Sequence, residues 1–285
     1  MHAFLKILKY LALFIVVIAG YILLNVSPIH FLNFKKVNSK PHIIVGHRGA
    51  GALGPENTIA AIRIGLENKV DRIEVDVHQT KDGEIIVIHD ETLNRTTNGE
   101  GLIKSKTWDE ISILDAGSKF SSEYKNERVP LLDEVIKFID GRAGLIIEIK
   151  GGSEYYPGIE QKVVDIVKDN NALDWCIVHS FYTGVLVKLH QLEPALKLHK
   201  LFIVKLSFLP LMIALEGLEY FNLKKYPYIN EYSLNYHFAN RRIIKKLQKS
   251  GKKVNVWTVD NPEDAKELLS IGIDGIITDY PDRIK

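Results

Sequence analysis

Between residues 42 and 279 one pattern recurs: a short apolar run of strand length, then a segment whose apolar residues return at helical spacing. Strand-like runs fall at 42–46, 72–78, 84–89, 145–150, 176–180, 195–203, 229–234, 253–259 and 275–279. Helical spacing falls at 58–68, 130–139, 157–169, 183–191, 239–249 and 262–271. One pair breaks the alternation. Only the turn Thr80-Lys81-Asp82-Gly83 separates the run ending at His78 from the run beginning at Glu84, so these two strands form an antiparallel hairpin. Setting that arm aside leaves eight strands, the number in a closed (β/α)8 barrel, whose functional groups gather at the strand C-termini. Residues 91–130 are polar and glycine-containing with little periodicity and read as an insertion after the second barrel strand, covering the site; Thr107-Trp108-Asp109-Glu110 within it reads as a capped short helix.

The strand ends carry chemistry. Arg72-Ile73-Glu74-Val75-Asp76-Val77-His78 alternates strictly, which puts Glu74, Asp76 and His78 on one face. Neighbours on that face are about 7 Å apart. In a barrel that face points inward, and inward carboxylates need a cation or a partner. Counting back along the hairpin brings His89 opposite the neighbourhood of Glu74. His47 and Arg48 follow the first strand, Glu148 and Lys150 share one face at the end of another, and Asn255 and Trp257 share a face near the C-terminus. Three carboxylates without cysteine suit one hard divalent cation, Mg2+ or Ca2+. That cation with Arg48 and Lys150 would neutralise a phosphate, and two histidines would supply a general acid and a general base. The set fits phosphodiester cleavage better than ester or glycoside chemistry, and the chain has no Gly-x-Ser-x-Gly elbow and no Walker-type loop.

Composition narrows the alternatives. A net charge of +2 gives no electrostatic case for nucleic acid. Cys176 is the single cysteine, which excludes an intramolecular disulfide and a thiolate cluster. Its apolar neighbours Ile177 and Val178 mark it as a buried structural thiol.

The first 41 residues differ in kind. From Leu11 to Leu24 no residue is charged. Extending back past Lys9 and Lys6, whose stems can snorkel, gives a span of about 20 residues, enough to cross a bilayer. A cleaved secretory signal is the rival reading, but Ile18 stands where the cleavage site wants a small residue. We therefore expect a single-pass anchor over 5–26, a linker over 27–41 and the barrel over 42–285. Lysines flank both sides of the span, so the positive-inside rule gives no clear orientation. A very short N-terminal tail is easily kept in the cytoplasm, which favours an extracytoplasmic barrel. The segment 206–221 is unusually apolar for a connection. A core helix is the plain expectation, and an apolar lip touching membrane or an acyl chain is the sharper one.

The ordered set His47-Arg48-Gly49, Pro55-Glu56-Asn57-Thr58, Glu74-x-Asp76, Thr80-Lys81-Asp82-Gly83, His89-Asp90, Glu148-Ile149-Lys150, Trp257-Thr258 and Asp274 to Pro281 resembles the glycerophosphodiester phosphodiesterase family over about residues 42–284. The resemblance implies a TIM barrel that hydrolyses glycerophosphodiesters to glycerol 3-phosphate and an alcohol. It implies Glu74, Asp76 and Glu148 as metal ligands and His47 and His89 as the acid–base pair. Arg48 and Lys150 would hold phosphate, Trp257 would line the pocket, and Glu56 and Asn57 would support the site. Two other functions compete. Membrane-anchored relatives cleave lysophospholipids in the manner of phospholipase D. A membrane-tethered barrel without catalysis would be a binding module, but such a barrel should have lost a histidine or a carboxylate, and none is missing.

Overall fold

The computed structural model describes residues 42–205, 211–215 and 217–284. The anchor and linker expected over 5–41 lie outside the described residues. Among the described residues no helix is long and apolar enough to cross a membrane.

The chain opens with β1 (Ile43–Gly46), α1 (Ile59–Glu67) and β2 (Arg72–Gln79), then the hairpin arm β3 (Ile85–Val87). The insertion carries α2 (Trp108–Ser112) between short 3-10 turns. There follow α3 (Leu132–Ile139), β4 (Gly144–Ile149), α4 (Ile159–Asp169), β5 (Cys176–Ser180), α5 (Thr183–Leu192) and β6 (Lys197–Phe202). A meander of β7 (Val204–Lys205), β8 (Leu211–Ala214) and β9 (Gly217–Tyr220) comes next. The chain closes with β10 (Ile229–Asn235), α6 (Arg241–Lys249), β11 (Lys253–Trp257), α7 (Pro262–Ser270) and β12 (Gly275–Thr278). The parallel strands run β1-β12-β11-β10-β6-β5-β4-β2, and β2 pairs back to β1, so the ring is closed with eight strands. This is the expected (β/α)8 barrel.

Local sequence explains the elements. Thr58 caps α1 by accepting from Ala61 N, and Thr107 and Glu110 form a reciprocal capping box on α2. Asn261 caps α7 with Pro262 at its first turn, where a missing N–H costs nothing. The main core fills the space between ring and helices, with Val75, Val77, Ile147, Ile149, Val178 and Leu198 facing outward from the strands. A separate cluster, including Ile86, Ile88, Leu93, Ile103 and Ile111, anchors the insertion to the hairpin.

Inside the ring the layers differ. Val45, Ile146, Ile177 and Ile277 form an apolar band. At the N-terminal end of the strands Arg72 donates twice to Glu231, at 2.7 and 3.0 Å, and Asn255 Nδ2 donates to Glu231 at 3.0 Å. His199 Nε2 hydrogen-bonds Ser233 Oγ at 2.8 Å. Asn255 thus belongs to this lower layer rather than beside Trp257 at the opposite end. Gly275 is required there, because a Cβ would fall 2.3 Å from Asn255 Oδ1.

The core helix expected within 206–221 is not formed where the chain is described: β7, β8 and β9 make a three-stranded antiparallel sheet. Pro210 lacks the N–H that a helix interior needs, and Gly217, at φ +103°, takes a backbone conformation that suits a tight turn. One face of the sheet, Met212 and Ala214, packs on the barrel. Leu218 and Tyr220, on the alternate positions of β9, are exposed, as is Leu215. Glu219 ties the sheet down: it pairs with the buried Lys200 at 3.0 Å and accepts from Thr183 Oγ1 at 2.6 Å.

Candidate active site

His47, Arg48 and Gly49 occupy the turn that leaves β1. Gly49 has φ +91°, and a Cβ would meet the Ala61 and Ile62 backbone at 2.7 Å, so only glycine lets this turn sit against α1. Arg48 is itself left-handed, at φ +51°, and its backbone N–H donates to Glu74 Oε2 at 2.9 Å. A non-glycine residue held there is the kind of strain that surrounding contacts must support. Asn57, at φ +59°, supplies part of that support, because its backbone N–H donates to the Arg48 carbonyl at 3.0 Å. Its side chain accepts from Asp76 N at 3.1 Å and donates to Asp76 Oδ2 at 2.8 Å. The supporting role expected of Asn57 thus has a concrete geometry: it fixes Asp76.

Two histidines face one small cavity, each with a carboxylate behind it. His47 Nδ1 bonds Asp279 Oδ1 at 2.7 Å, and His89 Nδ1 bonds Asp90 Oδ1 at 2.7 Å. A carboxylate only accepts, so each Nδ1 is the donor and each Nε2 is left for other chemistry. His47 Nε2 stands 4.0 Å from Glu74 Oε2. Burial alone would push the His47 pKa down, but the bond to Asp279 and the charge of Glu74 outweigh it and raise it. His78, on the face of Glu74 and Asp76, does a different job. It bonds Tyr156 Oη at 2.7 Å and the His89 carbonyl at 2.8 Å, and burial lowers its pKa to about 4. It is a neutral prop under His89.

The cavity holds about 120 Å3 and is lined by His47, Arg48, Glu148, Lys150, His179 and Trp257, among others. Glu74, Glu148 and His179 are all buried, and each offers a ligand atom within 4.8 Å of the others. His179 Nε2 lies 3.3 Å from Glu74 Oε1 and 3.7 Å from Glu148 Oε2. Asp76, expected as a third ligand, is not in that group. Its oxygens are engaged by Lys150 at 2.9 Å, by Asn57, and by Arg48 Nε at 3.6 Å. Burial works against the Asp76 charge, but Lys150 and Arg48 outweigh it and hold the carboxyl well below its usual range. Lys150 also touches Glu148 at 2.9 Å; burial opposes its charge, and the two carboxylates more than restore it.

Arg48 reaches Glu56 at 2.8 Å, and Glu56 in turn binds Arg95 through both oxygens. Trp257 lies edge-on to Phe181, ring centroids 5.6 Å apart, and its buried indole N–H has no hydrogen-bond partner among the described residues. The ten residues to which the resemblance gives roles therefore lie at this mouth of the barrel or directly behind it, whereas Asn255 lies at the other end. Three more belong with them. His179 and Asp279 stood at strand ends in the sequence, the signal that marked the others, but their targets on distant strands were not legible. Arg95 lay in the insertion with no signal of its own.

A larger cavity of about 510 Å3 opens beside this one. It shares Lys150 and is walled by Tyr155, Tyr156, Tyr182, Glu91 and Glu154.

Comparison with known proteins agrees with this geometry. The model of the glycerophosphoryl diester phosphodiesterase family matches residues 47–283. A glycerophosphodiester phosphodiesterase of Caldanaerobacter subterraneus subsp. tengcongensis is 40% identical over 245 residues, covering 85% of this chain and 96% of that one. A glycerophosphodiester phosphodiesterase of Bacillus subtilis is 33% identical over 289 residues and covers 96% of each chain. Among solved structures, an Oleispira antarctica phosphodiesterase in complex with the product sn-glycerol-3-phosphate superposes with a TM-score of 0.76 at 26% identity, over 86% of this chain and 95% of that one. The chain belongs to the glycerophosphoryl diester phosphodiesterase family and is a phosphoric diester hydrolase.

Proposed function

We propose that this chain hydrolyses glycerophosphodiesters to glycerol 3-phosphate and an alcohol, with His47 and His89 as the acid–base pair. The observation that carries the reading is the pair of carboxylate-backed imidazoles facing one cavity above buried carboxylates. The product seen in the Oleispira antarctica relative supports it. Arg48 and Lys150 bring two positive charges to a phosphate held between the histidines. One imidazole takes the proton of the attacking hydroxyl at Nε2; the other gives its proton to the departing alkoxide. The attacking group is water, or a neighbouring substrate hydroxyl that closes a cyclic phosphate opened later by water. Either route uses the same two Nε2 atoms. Asp279 and Asp90 hold the rings in the tautomer this requires.

The buried donors suit a cation. Glu74, Asp76 and Glu148 are at most 6% exposed, and among the described residues Arg48 and Lys150 are the permanent cations that answer their charge nearby. Glu74, Glu148 and His179 would hold one divalent ion, and the oxygen-rich set favours Mg2+ or Ca2+. Bound there, such an ion supplies positive charge to the phosphate oxygens. A coupled assay for glycerol 3-phosphate, with glycerophosphocholine as substrate and Mg2+ or Ca2+ added, tests the reading. Absence of glycerol 3-phosphate from a panel of glycerophosphodiesters in either metal would overturn it. Lysophosphatidylcholine in the same assay, read by choline release, measures whether acyl chains are accepted.

We further propose that residues 5–26 tether the barrel to a membrane as a single span, with the barrel extracytoplasmic. The uncharged run Leu11–Leu24 supports this. Recovery of the full chain in the soluble fraction after cell lysis would refute the tether, and protection of the barrel from protease added to intact spheroplasts would refute the orientation.

A further inference from the structure

The insertion contributes one side chain to the catalytic mouth. Arg95 lies five residues past Asp90 and is about half exposed. Its guanidinium makes four hydrogen bonds to two carboxylates. Nε donates to Asp90 Oδ2 at 2.7 Å, and Nη2 donates to Asp90 Oδ1 at 2.9 Å. Nη1 donates to Glu56 Oε2 at 2.7 Å, and Nη2 donates to Glu56 Oε1 at 2.8 Å. The oxygens on which Nη2 converges are already in use. Glu56 Oε1 also accepts from Arg48, and Asp90 Oδ1 also accepts from His89. One nitrogen of Arg95 therefore sits between the carboxylate that orients the phosphate-holding arginine and the carboxylate that orients a catalytic imidazole.

We propose that Arg95 is a positioning residue that couples Arg48 to His89 through Glu56 and Asp90. The proposal rests on the functional reading above. Glu56 belongs to the loop after β1 and Asp90 to the end of the hairpin, so the chain brings two acids together that would repel each other without a shared cation. The planar fork of arginine answers both at once, which the point charge of lysine does not. The pull of Arg95 also reads in the acids: burial opposes the Glu56 charge, yet Arg95 and Arg48 lower its pKa. The insertion is held by its own apolar cluster, so Arg95 is not needed to fold it. A small shift of either partner would separate phosphate from imidazole, and positional errors of that size cost a large factor in rate.

The test is a double-mutant cycle in the full chain. Glu56→Gln and Asp90→Asn are made singly and together, first with Arg95 present and then in an Arg95→Ala background, with kcat and KM measured for each. Arg95→Ala should lower kcat/KM by roughly tenfold or more. The two acid substitutions should be non-additive with Arg95 present and additive without it. Arg95→Lys, which keeps the charge, should fold normally and still lack the coupling. Arg128→Ala, which removes another arginine contact within the insertion, should leave kcat within about twofold if clamping that loop is not what matters. Two readouts do not depend on turnover. Imidazole 15N NMR should show His89 losing its single tautomer in Arg95→Ala, and the affinity for sn-glycerol 3-phosphate should fall. Additivity in the wild-type background, or an unchanged His89 tautomer, overturns the coupling. A wild-type chain with no diesterase activity but a His89 tautomer that still depends on Arg95 overturns the functional reading alone.

Discussion

At the lower end of the barrel interior, Glu231 is answered by Arg72, with Asn255 donating as well and Lys253 Nζ 3.9 Å away. At the upper end, Glu74, Asp76 and Glu148 share Arg48 and Lys150, and Arg48 is itself shared with Glu56. The lower pair is closed: both oxygens of Glu231 are filled, by Arg72 and Asn255. The upper cluster keeps negative charge in excess and directs two imidazole nitrogens at open space. A buried charge that is fully paired holds a fold in register, whereas one left short of partners is available to a ligand. Burial is similar at both ends, so burial alone does not separate structure from chemistry in this barrel.

That contrast can be broken by experiment. The largest effect expected is on turnover: His89→Ala or His47→Ala should lower kcat by about 100- to 10,000-fold while the thermal midpoint stays close to that of the parent. A matching loss of stability would mean that the upper cluster also carries the fold. Chelation should remove activity, and adding back Mg2+ or Ca2+ should restore it; activity that survives exhaustive chelation would leave the excess charge without the partner assigned to it. Below the apolar band the signs reverse. Glu231→Gln leaves Arg72 buried without its counter-ion and should cost about 3–5 kcal/mol in urea unfolding, with kcat/KM nearly unchanged.

The lower end should also set the acid limit. Burial holds the His199 pKa at about 3, below its unfolded value of 6.5, so the unfolded chain takes up a proton there that the folded chain refuses. Glu231 adds to this in the same direction. Burial opposes its charge, but the bond to Arg72 prevails and leaves it at about 2 against 4.5 unfolded. Stability from His199 is complete above about pH 6.5 and is lost as pH falls toward 3, and that from Glu231 is lost from about 4.5 downward. His199→Gln should flatten the urea midpoint against pH between about 6.5 and 4.5, and an unchanged slope would refute this account. The smallest effect is expected at the meander: Leu218→Ser lies on an exposed face and should change stability by no more than about 0.5 kcal/mol.

Much of this was legible in the residues. Strict alternation from Arg72 to His78 placed Glu74 and Asp76 inward, and the short Asp82-Gly83 turn forced the hairpin that carries His89. Both are short-range signals. Closing the ring is not: Asp279 meets His47, and His179 meets Glu74, only because β12 and β5 take particular registers in the barrel. Nothing local to Asp279 names its partner. Arg95 was hidden for the same reason, compounded by its place in a loop. The error at 206–221 was of another kind. Leu211 to Leu215 is apolar throughout, so neither helical nor strand periodicity stands out, and Pro210 and Gly217 were the better guides.

The edge of β2 has a consequence beyond catalysis. β1 pairs only with Arg72 and Ile73, and β3 pairs only from Val77 onward. Between them the backbone of Glu74 and Asp76 is completed by Gly49 N, Asn57 Oδ1 and Ile88 N. The loop that bears His47 and Arg48 is thus part of the seam of the ring. A saturation library scored only by expression level should therefore flag Gly49 and Asn57 together with the apolar core, while His89 tolerates nearly every substitution. The same library scored by survival on a diester as sole phosphate source should lose all three, and the gap between the two maps would outline which parts of this mouth can be redesigned without first repairing the barrel.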